Sequence, residues 1–317
     1  MRATITTLAA AALLTAGCSG GSPAPGGGGG AGASPAAGPT KIGLITKFPV
    51  DFYDTMVDAV KKWNTEHSDV TVVYAQGKSG TDDEGEINAI QSMVSQGVTA
   101  IAITPTSPNV KGELQKAVDK GIKVVLIDND IPDWTGKSSV VATDNLAGGK
   151  LAGTWIAAHL PPGSKIAVLQ GALGNPSLEA RVSGMLETLG TSATAVAKTP
   201  TDCDQTKGVN AMQDILTAHP DIAGVYGACG PPIIGALQAI KGAGKEGKLV
   251  IVGFDAAPGE LTAITAGTES ASVAQFPAKM GSIGIQTALD AATGKTVPPT
   301  VDTGTEMVTK ENAAKFS

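Results

Sequence analysis

Two aspartates each stand directly after a short apolar run: Asp128 follows Val124-Val125-Leu126-Ile127, and Asp255 follows Ile251-Val252-Gly253-Phe254. A carboxylate just beyond a buried strand points into the crevice where the carboxyl ends of parallel strands converge, and there it can accept from hydroxyl groups. Other polar residues end similar runs: Thr46 and Lys47, Thr104 and Thr106, Asn129 and Asp130, Asn175, Cys203 and Cys229. Such a set suits reversible recognition of a polar solute. It lacks the parts of a covalent mechanism, since there is no Gly-x-Ser-x-Gly elbow, no His-Glu-x-x-His helix and no close acid pair outside loops. The chain is therefore read as a non-enzyme with no cofactor. Gly242-Ala243-Gly244-Lys245-Glu246-Gly247 spells a dinucleotide fingerprint, but it follows a helix and precedes a strand, the reverse of the required context.

Several of these residues have a plain structural reading. Thr104 and Thr106 lie beside prolines and suit a turn, while Asp144-Asn145 suits a helix cap. The run Asp82-Asp83-Glu84-Gly85-Glu86 suits the negative first turn of a helix. Lys47 could answer an acidic solute, but the preferred reading leaves it solvated at the cleft rim. Trp134 is left between covering a ligand and packing on the surface.

The elements that must position these groups alternate. Lys41 to Thr46 reads as a strand, and Phe52, Met56, Val60 and Trp63 follow at helical spacing. The unit recurs through strands Val70 to Tyr74, Ala100 to Ile103 and Lys123 to Ile127, with helices marked by Ile87, Ile90, Met93 and Val94 and by Val110 to Lys120. After Thr143 the series restarts with a helix from Leu146 to His159, then strands Lys165 to Leu169, Ala193 to Lys198, Ala223 to Tyr226 and Leu249 to Phe254. The expected fold class is α/β, with two doubly wound parallel-sheet lobes. Composition agrees: 41 Gly and 3% aromatic residues leave Ala, Val, Ile and Leu to build the core. A formal charge of -6 gives no basic stripe for nucleic acid or anionic lipid.

The first forty residues predict export. Arg2, an uncharged Ala/Leu segment and Leu14-Thr15-Ala16-Gly17-Cys18 read as a lipoprotein signal peptide over 1–17, with Cys18 as the lipidated residue. A Gly/Ser/Pro-rich tether over 18–40 follows. The apolar stretch from Ala3 to Ala16 is too short to span a bilayer of about 30 Å, so the only expected membrane attachment is the lipid. The expected site is the outer face of the cytoplasmic membrane.

Ile127-Asp128, Thr143-Asp144-Asn145-Leu146-Ala147-Gly148-Gly149, Leu169-Gln170-Gly171, Glu179-Ala180-Arg181, Val252-Gly253-Phe254-Asp255 and Ala274-Gln275-Phe276-Pro277 together make the chain resemble the pentose/hexose branch of bacterial periplasmic solute-binding proteins. The resemblance covers Lys41 to Lys310. It implies an N-terminal lobe of 41–143 plus 276–304 and a C-terminal lobe of 144–275 plus 305–317, joined by three crossovers. The lobes would close on a small solute, and the loaded protein, a monomer, would dock on the permease and ATPase of an ABC importer. Carried over residue by residue, the sugar contacts are Asp128, Arg181, Asp255 and Gln275, with Phe52 and Tyr53 where aromatic rings stack on a sugar.

Departures from the pattern are as informative. Val50 stands where an amide is usual, Asn129 where a second base is usual, Cys203 where an aromatic is usual and Cys229 where an asparagine is usual. Both cysteines thus fall at ligand positions on neighbouring strand ends, whose spacing of about 4.8 Å is compatible with a disulfide. A Cys203–Cys229 bridge lining the cleft is expected, as suits an exported protein with one further cysteine. Metal binding by the pair is disfavoured, because His67, His159 and His219 all lie far from it in sequence. With Gly230-Pro231-Pro232 in place of an acid, this wall should be apolar and suit a ligand smaller or less hydroxylated than a hexose. The functional expectation is a lipid-anchored solute receptor of an ABC importer for a sugar or polyol. The alternative is a sensory receptor that presents a sugar or furanosyl signal to a membrane kinase or chemoreceptor.

Overall fold

The structure, a computed structural model, describes residues Thr40–Phe316. The signal peptide, Cys18 and nearly all of the tether lie outside the described residues. Thr40, assigned above to the tether, is instead the first residue of β1 (Thr40–Thr46) and pairs with Val70 of β2 (Val70–Gln76).

Two six-stranded sheets carry the chain. The first has the order β11-β5-β4-β3-β1-β2, adding β3 (Ala100–Ile103), β4 (Lys123–Ile127), β5 (Ser139–Ala142) and β11 (Thr300–Asp302). The second has the order β12-β10-β9-β8-β6-β7, from β6 (Ser164–Gln170), β7 (Ala193–Pro200), β8 (Gly224–Gly227), β9 (Val250–Asp255), β10 (Ala271–Ala274) and β12 (Glu306–Thr309). The two orders are the same pattern repeated. Every pairing is parallel except β10 with β12, so the second sheet is not wholly parallel as the sequence suggested. The chain passes from the first sheet to the second after β5, returns after β10, and crosses again between β11 and β12.

Alternation along each strand divides the core. In the first sheet Ile42, Leu44, Val125 and Ile127 face α1 (Asp51–Glu66) and α9 (Pro277–Ala292), while Ile45, Ile101, Val124 and Leu126 face α2 (Asp83–Ser95) and α3 (Lys111–Asp119). Both faces are covered, which is why these strands read as continuous apolar runs. The second sheet repeats this, with α4 (Asn145–His159) and α5 (Pro176–Leu189) on one face and α6 (Gln205–Ala218) and α7 (Gly230–Gly242) on the other. Asp144 caps α4 by accepting from Ala147 N at 2.9 Å, and Asp82 caps α2 from Gly85 N at 3.0 Å. Val110 to Lys120, read as one helix, begins instead as a 3₁₀ turn over Pro108–Val110, because Pro108 lacks the N–H that a preceding turn would use.

The α4–α5 contact holds Arg181 in place, and it depends on glycine. A Cβ on Gly149 would lie 2.2 Å from Arg181 O, and one on Gly153 would lie 2.2 Å from Met185 O. Gly153→Val should therefore lower stability by about 1–3 kcal/mol through overpacking. Gly112→Ala, in α3 where an added Cβ meets nothing within 4 Å, should raise it by about 0.4–1 kcal/mol. Thermal unfolding of both variants checks the opposite signs.

Candidate ligand-binding cleft

A cavity of about 260 Å³ lies between the lobes and is lined from both. On the first lobe Asp128 leaves β4 with φ 66°, a left-handed backbone that turns its carboxylate into the cleft. Its N–H donates to Val141 O at 2.9 Å, which keeps the turn attached to the sheet. Tyr53 Oη donates to Asp128 Oδ2 at 2.9 Å, and Asn129 Nδ2 donates to the same oxygen. The other oxygen is left for a further donor. Burial, with the Asp128 charge beside it, raises the Tyr53 pKa well above its usual value, so the phenol stays a donor. Phe48 and Phe52 meet the Tyr53 ring edge-on at 5.5 and 5.2 Å, and all three line the cavity.

The second lobe supplies an interlocked group. Arg181, buried on α5, donates Nε to Asn145 Oδ1 at 2.7 Å and Nη1 to Ala228 O at 2.9 Å, with Asp255 Oδ1 at 3.4 Å. Its guanidinium lies 4.0 Å over the Phe254 ring. Asp255 accepts from Gln275 Nε2 at 2.7 Å and from Gly230 N at 3.0 Å. Burial nevertheless raises the Asp255 pKa, against the lowering exerted by Arg181 and these donors. Cys203 and Cys229 are joined by a disulfide with a Cα–Cα separation of 5.8 Å, and both line the cavity beside Pro231 and Ile234; they do not follow neighbouring strands as the sequence suggested, since β6 lies between β7 and β8 and the loops beyond bring them together. By the chain-entropy relation a bridge spanning 26 residues contributes about 3.5 kcal/mol.

The lobes also touch directly. Asn175 Nδ2 donates to Thr106 O at 3.4 Å, and Ser177 Oγ donates to Asp128 O at 3.4 Å. Asn175 also caps α5, its Oδ1 accepting from Ser177 N and Leu178 N. Thr106 is the turn residue expected, its N–H and hydroxyl bonded to Glu86 at 2.8 and 2.7 Å.

Two sequence readings need correction. Lys47 is not solvated at a rim: it is only 6% exposed and lines the cavity, and among the described residues no side-chain or backbone oxygen pairs with its ammonium. Burial lowers its pKa, opposed by Asp128 and Glu86. Thr46 lies outside the cavity wall, because its hydroxyl accepts from Gln76 Nε2 at 3.2 Å on the neighbouring strand. Trp134 resolves to packing, with its indole N–H donated to Gln115 at 2.7 Å within the first lobe's core. Phe48 and Glu260 were missed as cavity residues. Phe48 follows Lys47 beyond β1 and could have been suspected; nothing local marks Glu260, which α8 (Pro258–Ala266) brings in.

The cleft can thus offer acceptors and donors from opposite lobes, aromatic faces and an apolar wall. A binding site built on two repeated sheets is the class of molecule this geometry defines. A family model described as a periplasmic binding protein domain matches residues 42–296. The chain is 33% identical over 244 residues to the ribose import binding protein RbsB of Bacillus subtilis, covering 76% of this chain and 77% of that one. A solute-binding protein from Mycobacterium smegmatis solved with glycerol superposes with a TM-score of 0.81 at 32% identity, covering 88% of this chain and 96% of the other. One from Agrobacterium radiobacter, in complex with D-arabinose, gives 0.81 at 29% identity over 86% and 95% of the two chains. The chain belongs to the periplasmic binding protein family.

Alkylation of the denatured chain without reductant should leave Cys203 and Cys229 unmodified, and prior reduction should add two alkyl groups there. Intact mass reads the difference.

Proposed function

We propose that this chain is the solute-binding component of an ABC importer and closes on a small, uncharged, hydroxylated solute of the sugar or polyol class. The observation that carries this reading is the pair of carboxylates, the buried Asp128 and the partly buried Asp255, one from each lobe, facing one cavity beside Arg181. Carboxylates accept from vicinal hydroxyls, and a guanidinium already fixed by other bonds donates to ring or hydroxyl oxygens without further ordering. The cavity is lined by five acids, Asp51, Asp128, Asp202, Asp255 and Glu260, and by two cations, Lys47 and Arg181, which disfavours an anionic ligand. The Lys47 ammonium, which lacks a protein acceptor, is satisfied by a ligand oxygen. Phe52 and Tyr53 stack on the C–H face, and Asn129 and Asn175 complete the polar wall. Cys203–Cys229, Pro231 and Ile234 make the remaining wall apolar, so the ligand is smaller or less hydroxylated than a hexose. The names of the relatives, with ribose, glycerol and D-arabinose, support the sugar and polyol class. Cys18 carries the lipid that holds the protein at the outer face of the cytoplasmic membrane.

A thermal-shift screen over glycerol, erythritol, D-ribose, D-arabinose, myo-inositol and the matching sugar acids tests this. At least one neutral compound of pentose size or less should raise the melting point, by about 2.7 kcal/mol of added stability at a hundredfold excess over Kd. Asp128→Ala, Arg181→Ala and Asp255→Ala should abolish that shift. Lys47→Met should weaken binding by about 1.5–3 kcal/mol, the usual worth of a hydrogen bond to a charged group. A shift confined to the acids, or full affinity in the alanine variants, would sink the reading.

A further inference from the structure

Two more acids lie beside Asp255, and neither is paired with a cation among the described residues. Glu260, in the first turn of α8, is fully buried, and Glu269, in the loop before β10, is 2% exposed. Glu260 Oε2 accepts from Ala257 N at 3.1 Å and Oε1 from Ser272 Oγ at 2.8 Å. Ser272 Oγ in turn accepts from Ala256 N at 3.0 Å. These bonds converge on a strained turn, since Asp255 and Ala256 have φ of 108° and 49°. Backbone of this kind is unfavourable for a residue with a side chain and persists only where its surroundings enforce it. Glycine makes room for the carboxyls. A Cβ on Gly253 would sit 2.1 Å from Glu260 Oε1 and 2.6 Å from Glu269 Oε1, and one on Gly230 would sit 2.4 Å from Glu260 Oε2.

Glu269 has no side-chain donor among the described residues, only the Gly253 N–H bears on it, and its carboxyl faces that of Glu260. Two ionised carboxylates in contact away from water repel strongly, whereas one proton between them turns the repulsion into a short-range bond. We propose that Glu260 and Glu269 are positioning residues of the cleft: the pair holds one proton, donated by Glu269 to Glu260, and Glu260 clamps the Asp255–Ala257 turn that aims the Asp255 carboxylate. Burial pushes Glu260 up to about 8 and Glu269 well above the usual carboxylate range, in keeping with a retained proton. Asp255 is the other charge that bears on Glu260 and acts in the same direction, with Arg181 beyond it on α5. The inference rests on the proposed function only in giving Asp255 a ligand, so its test uses none.

The test uses the full chain labelled with carbon-13 at the glutamate carboxyls, together with amide exchange corrected for intrinsic rates. One carboxyl resonance should stay at its protonated position to about pH 8 and vanish in Glu269→Gln, whose amide keeps the bond but carries no titrating proton. Exchange at Ala256 and Ala257 should quicken by about tenfold between about pH 7 and 10 in the native chain but not in Glu269→Gln. Because the folded-state values are raised, the stability they confer is full below about pH 4.5 and lost as the pH rises through about 8. The native melting point should fall over that window, and Glu269→Gln should flatten the fall. Glu260→Ala should quicken both amides at every pH; should it not fold, the Glu269→Gln measurements stand alone. Ordinary titration of all glutamates, or the same alkaline quickening in Glu269→Gln, would overturn the proposal.

Discussion

Keeping carboxylates out of water on both sides of one cavity is the constraint that organises this molecule. A buried ion without donors would neutralise or unfold its surroundings, so each must be surrounded before any ligand arrives. Asp128 is held by a phenol and an amide that lie in its own lobe, and Asp255 by an amide, a backbone N–H and a guanidinium. Every one of those donors must itself be fixed. That requirement accounts for the buried Arg181 stacked on Phe254, for Asn145 at the start of α4, and for glycines where α4 meets α5.

The repeat of one sheet order explains why the two acids oppose each other. β4 and β9 hold the same place in their sheets; β9 ends in an aspartate with positive φ and β4 is followed by one. Among the described residues, all non-glycine positions with positive φ except Asp133 lie in or next to the cleft: Asp128, Asp202, Cys203, Asp255 and Ala256. Strain is therefore concentrated where side chains must be aimed, and the sheets and the disulfide hold it in place.

Much of the fold was legible because strands covered on both faces are continuously apolar and helices between them carry period-3.6 faces. The strands Ala100–Ile103 and Lys123–Ile127 were found to the residue. Ser139–Ala142, β10 and the short β11 and β12 were not, since three or four residues at a lobe crossing carry too little pattern. Asp128 and Asp255 could be seen from their position after a strand, whereas Arg181 and Gln275 came only through a family resemblance. The burial of Lys47 was illegible for a physical reason: whether a residue beyond a strand end is solvated depends on the opposite lobe, which local sequence does not describe. The Glu260–Glu269 contact was hidden for the same kind of reason, because a turn and two glycines bring the acids together.

The halves of the cleft differ in how complete they are. Arg181, Asp255, Gln275 and the Cys203–Cys229 bridge form a connected unit whose polar groups largely satisfy one another. The first lobe instead presents an ammonium that burial destabilises, that the Asp128 and Glu86 charges offset only in part, and that has no hydrogen-bond acceptor among the described residues. A cleft closed without ligand keeps the part of that desolvation cost that Asp128 and Glu86 do not offset, and under the function proposed above a ligand oxygen on Lys47 would lower it. Under the function proposed above, that contact would make closure depend on the solute, because a ligand shifts such an equilibrium only by its difference in affinity between the two states. A cation without an acceptor on one lobe, facing a largely fixed network on the other in which Gln275 Oε1 is likewise unpaired among the described residues, would be sufficient to couple occupancy to shape.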